Sequence, residues 1–173
     1  MFKDHRENTL EYIKRSANHI SKDRLSKLKF DSNNGSITPP SSILKAVYKK
    51  AVNSSAKNYK HAAVIYRKSR IISIAENIIY KTHPCGAGPH TSSHAEIRAI
   101  MIAKHIGVKK GDKILVIRIN RRGYIKLSKP CKDCMRLINQ YNIRPVWSDE
   151  ECLQNGSNIV NTNRRGTDLI QKL

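Results

Sequence analysis

Two short motifs carry the residue types best suited to chemistry: H-A-E at residues 94–96 and P-C-K-D-C at residues 130–134. Zinc prefers imidazole and thiolate ligands, and a catalytic zinc takes three protein ligands and leaves its fourth position for water. His94, Cys131 and Cys134 meet that need. They therefore predict a catalytic zinc site.

Each of the two motifs is expected to begin a helix. After residue 94 the apolar residues recur at helical spacing until Gly107, and a second such run follows Pro130. A helix N-terminus carries partial positive charge, which helps to keep a cysteine in the thiolate form. Glu96 would lie in the first helical turn, where its carboxylate can reach the water at the metal without binding the ion.

The remaining elements alternate between helix and strand, as apolar periodicity and turn residues indicate. They are a helix from Ser41 or Ser42, a β-hairpin at 61–67 and 71–76, a buried strand at 113–119 and a last strand at 144–148. This alternation predicts the α/β class, with a central sheet between helices on both faces.

Both ends of the chain differ from this central part. Residues 8–30 are predicted to form a basic amphipathic helix, and residues 31–40 have the composition of turns and linkers. The predicted domains are an N-terminal helix and linker (1–40), a zinc-dependent domain (41–153) and a polar C-terminal tail (154–173).

H-A-E followed by P-C-x-x-C, each at the start of a predicted helix, is similar to the signature of the cytidine deaminase superfamily, and the resemblance covers roughly residues 41–150. It implies a three-layer α/β/α sandwich with a mixed five-stranded sheet, here preceded by an added N-terminal helix. It also implies hydrolytic deamination with zinc as the cofactor. His94, Cys131 and Cys134 would be the metal ligands and Glu96 the general acid and base.

The same resemblance implies residues that hold the substrate. Ala95 would line the base pocket through its backbone, and Asn77 would hydrogen-bond the sugar, with a simple turn residue as the alternative interpretation. His90 belongs to a glycine-rich loop whose polar side chains could line the pocket. Lys129, like Lys81, could meet a phosphate, and the alternative is solvated surface charge.

The substrate is the least determined part of the resemblance. A histidine as the first ligand distinguishes the chain from free-nucleoside enzymes with three cysteine ligands. The tract P-H-T-S-S-H-A-E-I-R-A-I resembles tRNA adenosine deaminases, but Lys129 replaces their usual acidic residue, and residues 120–127 form an insertion. We expect deamination of cytosine in a cytidine or deoxycytidine nucleotide, by an enzyme of the cytidine/deoxycytidylate type. The alternative is cytosine or adenine in single-stranded DNA or RNA, including tRNA.

A third hypothesis is a non-catalytic zinc module that binds nucleic acid, although the presence of Glu96 argues against it. The 33 Lys and Arg residues against 13 Asp and Glu residues give a net charge of +20, which attracts phosphate on nucleotides or nucleic acid. Part of that charge could instead reflect an AT-biased coding sequence. Because no apolar run approaches the roughly 18 residues of a membrane helix, and no secretory signal is evident, we expect an intracellular, cytoplasmic protein without a membrane partner. Its oligomeric state, a homo-oligomer included, is left open.

Overall fold

The computed structural model describes residues 28–79 and 92–149, in which nine strands and three helices alternate. The strands are β1 (Phe30–Ser32), β2 (Gly35–Ser36), β3 (Lys60–Arg67), β4 (Arg70–Glu76), β5 (Ile78–Ile79), β6 (Ser92–Ser93), β7 (Lys113–Ile119), β8 (Ile125–Lys126) and β9 (Arg144–Ser148). The helices are α1 (Ser41–Val52), α2 (Ala95–Ile106) and α3 (Lys132–Gln140). None of these three helices has the length and apolar character needed to span a bilayer.

The elements predicted between residues 41 and 148 are confirmed, with boundaries that agree to within a residue or two. Most of the predicted helix at 8–30 and the whole predicted tail at 154–173 lie outside the described residues.

Seven of the described strands form one mixed sheet, in the order β2-β1-β9-β7-β3-β4 with β8 also paired to β7. Neighbouring strands are antiparallel except β7 and β9, which are parallel. The mixed sheet agrees with the prediction, but it has seven strands where five were predicted. The two additional strands are β1 and β2, which are short and lie at one edge of the sheet.

The edge strands β1 and β2 come from a segment whose composition indicated a helix end and a linker. Phe30, predicted as helical, begins β1 instead and is only 1% exposed, because it packs into the core beneath α1. Gly35 opens β2 with a φ of 100°, a left-handed conformation that glycine adopts readily. The short strand was missed because it pairs with β9, more than a hundred residues away.

Alternating side chains of the central strands divide the core into two layers. On β3, Ala62 and Val64 pack with α1, whereas Ala63 and Ile65 pack with α2 and α3 on the opposite face. Strand side chains alternate between faces with a period of two, which produces this division. The three-layer α/β/α arrangement is therefore confirmed, with α2 and α3 together on one face.

A buried carboxylate, Asp112, connects the end of β3 to the loop that follows α2. It accepts hydrogen bonds from Arg67 Nε at 2.7 Å, from Arg67 Nη2 at 2.9 Å and from the backbone N–H of Lys109 at 2.8 Å. Burial alone would raise the pKa of Asp112, but these hydrogen bonds outweigh it and hold the pKa below its usual value. The carboxylate therefore stabilises the fold in its charged form.

Replacing Asp112 by asparagine is expected to lower the free energy of unfolding by about 2 kcal/mol at pH 7, since it removes hydrogen bonds to a charged group. A depressed folded-state pKa contributes stability above the unfolded value of about 3.9, and that contribution is lost as the pH falls through the folded-state pKa. Urea unfolding of both proteins at pH 7 and pH 3 should thus show a difference that shrinks in acid. Asp31→Asn, at a partly exposed carboxylate of β1, is the control, and a difference that grows in acid would contradict the assignment.

Candidate active site

His94 and Cys131 each occupy the position directly before a helix. His94 has extended backbone angles (φ −68°, ψ 145°) and precedes α2, and Cys131 (φ −67°, ψ 168°) precedes α3. Neither side chain forms a capping hydrogen bond to its own helix. The His94 imidazole and the Cys131 thiol are therefore not engaged as caps, and the two helix N-termini place them next to each other.

The three predicted metal ligands come together in space. Their ligand atoms all lie within 4.8 Å of one another. His94 Nδ1 is 3.2 Å from Cys134 Sγ and 3.6 Å from Cys131 Sγ. Around a tetrahedral zinc, with Zn–N of about 2.0 Å and Zn–S of about 2.3 Å, ligand atoms lie roughly 3.5–3.8 Å apart. The donor set and its spacing fit zinc.

The ligand cluster is open on one side and closed on the other. Cys134 is fully buried, whereas His94 and Cys131 are exposed. Burial raises the pKa of the Cys134 thiol, and the Glu96 carboxylate and Cys131 raise it further. A bound cation would stabilise the cysteines as thiolates, and the exposed side of the cluster would leave a further coordination position open to water and substrate.

Glu96 lies in the first turn of α2 and is only 4% exposed. Burial raises the pKa of its carboxyl group, an effect only partly offset by its own backbone hydrogen bond, by His94 and by Cys134. Glu96 lies outside the three-residue ligand group. The structure therefore places beside the cluster a carboxyl group suited to accept and return a proton.

Asn77 follows β4, and the pairing of β5 with β6 brings this end of β4 towards the start of α2. The Asn77 side chain is largely engaged within the protein. Its Oδ1 accepts from Ser54 Oγ at 2.7 Å and from the His61 backbone N–H at 2.8 Å, and its Nδ2 donates to the Tyr59 carbonyl at 2.9 Å. The second Nδ2 hydrogen of Asn77 could still be donated to a ligand. The predicted contact with the sugar therefore stays a prediction.

The other predicted substrate residues have different surroundings. Ala95 is fully buried between His94 and Glu96, at the first position of α2. Lys129 is exposed and its Nζ lies 5.6 Å from the centroid of the Trp147 ring. Lys129 therefore lies over an aromatic ring directly before the P-C motif, and its predicted phosphate contact stays a prediction. His90 lies outside the described residues.

Sequence reasoning missed one residue of this site, His61 at the start of β3. Burial lowers the pKa of His61 to about 4, with further contributions from the charges of Arg118 and His94. The imidazole is therefore neutral at pH 7 and close enough to His94 to be affected by its charge. A single histidine near the start of a strand belongs to no recognisable motif. Its proximity to His94 follows from the tertiary structure and could not be read from the sequence.

The motifs that form this site belong to a known family. The family model described as the cytidine and deoxycytidylate deaminase zinc-binding region matches residues 40–148. No curated protein matches the sequence.

Two solved structures are similar at low identity. They are dCMP deaminase from the cyanophage S-TIM5 in complex with dCMP and dUMP, and the same enzyme in apo form. Both are 19% identical and cover 61% of this chain; the complex has 79% of its own length covered and a TM-score of 0.40, and the apo form 80% and 0.39. The family match, in contrast, spans well over half of the chain. The chain belongs to the cytidine and deoxycytidylate deaminase zinc-binding family.

Proposed function

We propose that this chain hydrolytically deaminates the cytosine of a cytidine or deoxycytidine nucleotide to uracil. The observation that carries the proposal is the zinc-type cluster of His94, Cys131 and Cys134 with the buried Glu96 beside it. The family to which the chain belongs is named for cytidine and deoxycytidylate, which supports cytosine as the base.

The chemistry requires one water and two proton movements. Zinc, when bound, supplies a Lewis acid that lowers the pKa of a coordinated water to about 7. Glu96 takes a proton from the water that adds to C4 of cytosine and donates a proton to the ring nitrogen N3. It then moves the remaining proton of the C4 hydroxyl to the amino group, the C4–N bond breaks and ammonia leaves, so that cytosine and water become uracil and ammonia.

The geometry of the chain supports this division of roles. Glu96 and His94 are held two residues apart at the start of one helix, and Ala95 between them has no side chain large enough to obstruct a planar base. The exposed side of the ligand cluster faces solvent through His94 and Cys131. A flat ring can therefore approach the cluster while Glu96 remains shielded from bulk water.

A second candidate is deamination of a base within single-stranded DNA or RNA. It is favoured by the net charge of +20 and by the basic turn at residues 121–122 of the β7–β8 hairpin. Contact with a strand neutralises many phosphates and releases counterions, with a log–log salt slope of about −0.7 per contact. A mononucleotide needs only one or two basic groups.

Turnover of matched substrates distinguishes these candidates. We expect the purified zinc-loaded protein to release uracil product from CMP or dCMP with little dependence on salt. Single-stranded oligonucleotides should bind, because of the net charge, but act mainly as competitors. The assay compares CMP, dCMP, AMP and cytosine- or adenine-containing oligonucleotides at 50 and 200 mM salt. Deamination of oligonucleotides without deamination of any mononucleotide would contradict the proposal and support the second candidate.

A further inference from the structure

Strand β7 changes its neighbour partway along its length. It pairs with β9 as far as Val116, and its last residues pair with β8 from Arg118 onwards. Where one neighbouring strand ends and another begins, buried backbone N–H and C=O groups need partners other than those of a regular ladder. Two buried serines lie at this point: Ser128, which follows β8, and Ser148, the last residue of β9. We call this pair the serine junction.

The hydroxyl groups of the serine junction bond to backbone groups of all three strands. Ser128 Oγ donates to the Val116 carbonyl of β7 at 2.7 Å and accepts from the Ser148 N–H of β9 at 2.9 Å. Ser148 Oγ lies 2.7 Å from both the Lys126 carbonyl of β8 and Ser128 Oγ, and can donate its single proton to either. The Ser128 N–H also donates to the Ser148 carbonyl at 3.1 Å. One pair of residues therefore connects the ends of β8 and β9 to β7.

Burial makes the geometry of the serine junction specific. Ser128 is only 3% exposed and Ser148 is fully buried. A buried polar group that loses its partner bears its full desolvation cost, so a satisfied buried network favours one arrangement of the chain over others. The backbone at Ser128 is therefore held in place relative to β7 and β9 at the same time.

The segment that follows Ser128 leads directly to a predicted metal ligand. Only Lys129 and Pro130 lie between Ser128 and Cys131. The ring of Pro130, which is buried, fixes its own φ and restricts the backbone of Lys129. Lys129 Nζ also lies over the ring of Trp147, the residue before Ser148. The position of Ser128 is therefore transmitted to Cys131 through a short segment with few free torsions.

The same segment sets the start of α3. The Cys131 carbonyl accepts the Met135 N–H at 2.8 Å, and Cys134 lies in the first turn of the helix. The Cys131 side chain is exposed, so its position is fixed by its backbone more than by packing. His94 belongs to a different helix. The distance of 3.6 Å between His94 Nδ1 and Cys131 Sγ therefore depends on how the chain before Cys131 is held.

We propose that Ser128, with Ser148 as its partner, is a positioning residue for the zinc site. The serine junction holds the two cysteine ligands at metal-binding distance from His94 before the ion binds. The inference rests on the proposed function through its metal site, and it assigns a role to two residues outside both motifs. When only a fraction of the folded molecules has its ligands in place, the apparent affinity for the ion falls by that fraction. Loss of the junction should therefore weaken zinc binding even in molecules that are otherwise folded.

The test compares wild type with Ser128→Ala, Ser148→Ala and Ser73→Ala. Ser73 is the matched control, because it is a buried serine of β4 whose Oγ donates to the Ala99 carbonyl at 2.7 Å, away from the cysteine segment. The zinc dissociation constant is measured by competition with a chromophoric chelator. For Ser128→Ala we expect it to rise roughly 10-fold, the lower end of the range for groups that orient metal ligands, since Ser128 acts through the backbone. Ser148→Ala keeps the Ser128 hydroxyl and should raise it about threefold, the effect of one modest hydrogen bond. Ser73→Ala should change it less than about twofold, because separate sites act independently.

Two further measurements separate positioning from general stability. Cobalt(II) in place of zinc gives a thiolate-to-cobalt charge-transfer band, which at equal metal concentration should be weaker in Ser128→Ala than in wild type. Urea unfolding with a chelator present measures the stability of the metal-free proteins. Ser128→Ala and Ser73→Ala should both lower it, because each loses buried hydrogen bonds. A serine with a purely structural role would lower this stability and leave the zinc constant unchanged.

The inference and the proposed function can fail separately, because one is measured by zinc binding and the other by turnover. Wild type that binds no zinc would contradict both. Wild type that binds zinc, with Ser128→Ala binding it equally well or Ser73→Ala losing as much affinity, would overturn the positioning role alone. Should Ser128→Ala fail to fold, Ser148→Ala decides: a raised zinc constant supports the role of the junction, and an unchanged one overturns it.

Discussion

Glu96→Gln should lower kcat by about 10²- to 10⁴-fold while one zinc per chain remains bound. The substitution keeps the shape of a side chain that is almost fully buried but removes its ability to accept and return a proton, and general acid–base catalysis contributes an effect of this size. The ligand group does not include Glu96, so metal content should be unchanged. Turnover of CMP or dCMP and elemental analysis on the same preparation measure both quantities.

A carboxylate nearby offers a matched control for this prediction. Asp133 lies in the first turn of α3 between the two ligand cysteines, but its side chain is exposed and pairs with Arg136 on the surface. Asp133→Asn removes the same charge close to the cluster and should keep activity within a few-fold of wild type. Retention of more than a few per cent of activity by Glu96→Gln or by Glu96→Ala would show that another group moves the protons.

Cys134→Ala and Cys131→Ala are expected to lose both the zinc and much of the stability that it confers. Wild type should contain one zinc per chain, and each variant close to none. A ligand at a thousand times its dissociation constant stabilises a protein by about 4 kcal/mol, which corresponds to a fall in Tm of roughly 8–16 °C for a chain of this size. Elemental analysis and thermal unfolding with and without a chelator test this expectation.

The chelator experiment also separates loss of metal from loss of packing. Wild type stripped of zinc should melt near the temperature of Cys131→Ala, because the Cys131 side chain is exposed and contributes little besides its ligand atom. Cys134→Ala should melt lower still, since its side chain is fully buried. Cys152→Ala, at a cysteine outside the P-C-K-D-C motif, is the control and should keep its zinc. A folded, untreated wild type without zinc would refute the metal assignment.

The sequence by itself predicted three features that the structure shows: the grouping of His94, Cys131 and Cys134, the position of Glu96 in a first helical turn, and the order of the main elements. These features depend on local sequence. His94 and Glu96 are two residues apart at the start of one helix, and Pro130 before Cys131 marks the start of another. The hairpin at β3 and β4 and the strand at β7 could likewise be predicted from apolar periodicity, which depends on neighbours within about ten residues. The helices on both faces then followed from the alternation of elements.

Tertiary structure alone decided the features that depend on contacts between distant residues. Phe30 became part of a strand because β9 offers it an edge, and no local signal predicts a partner 118 positions away. The Asn77 side chain is hydrogen-bonded to the backbone of His61 and Tyr59. Its position after a strand in the sequence does not predict these contacts. Arg118 lies opposite His61 only because of the register of β3 and β7, and a shift of one residue would turn its side chain to the face of α1. Register is set by the pairing of whole strands and the packing of both core layers, so the environment of His61 is a property of the folded sheet.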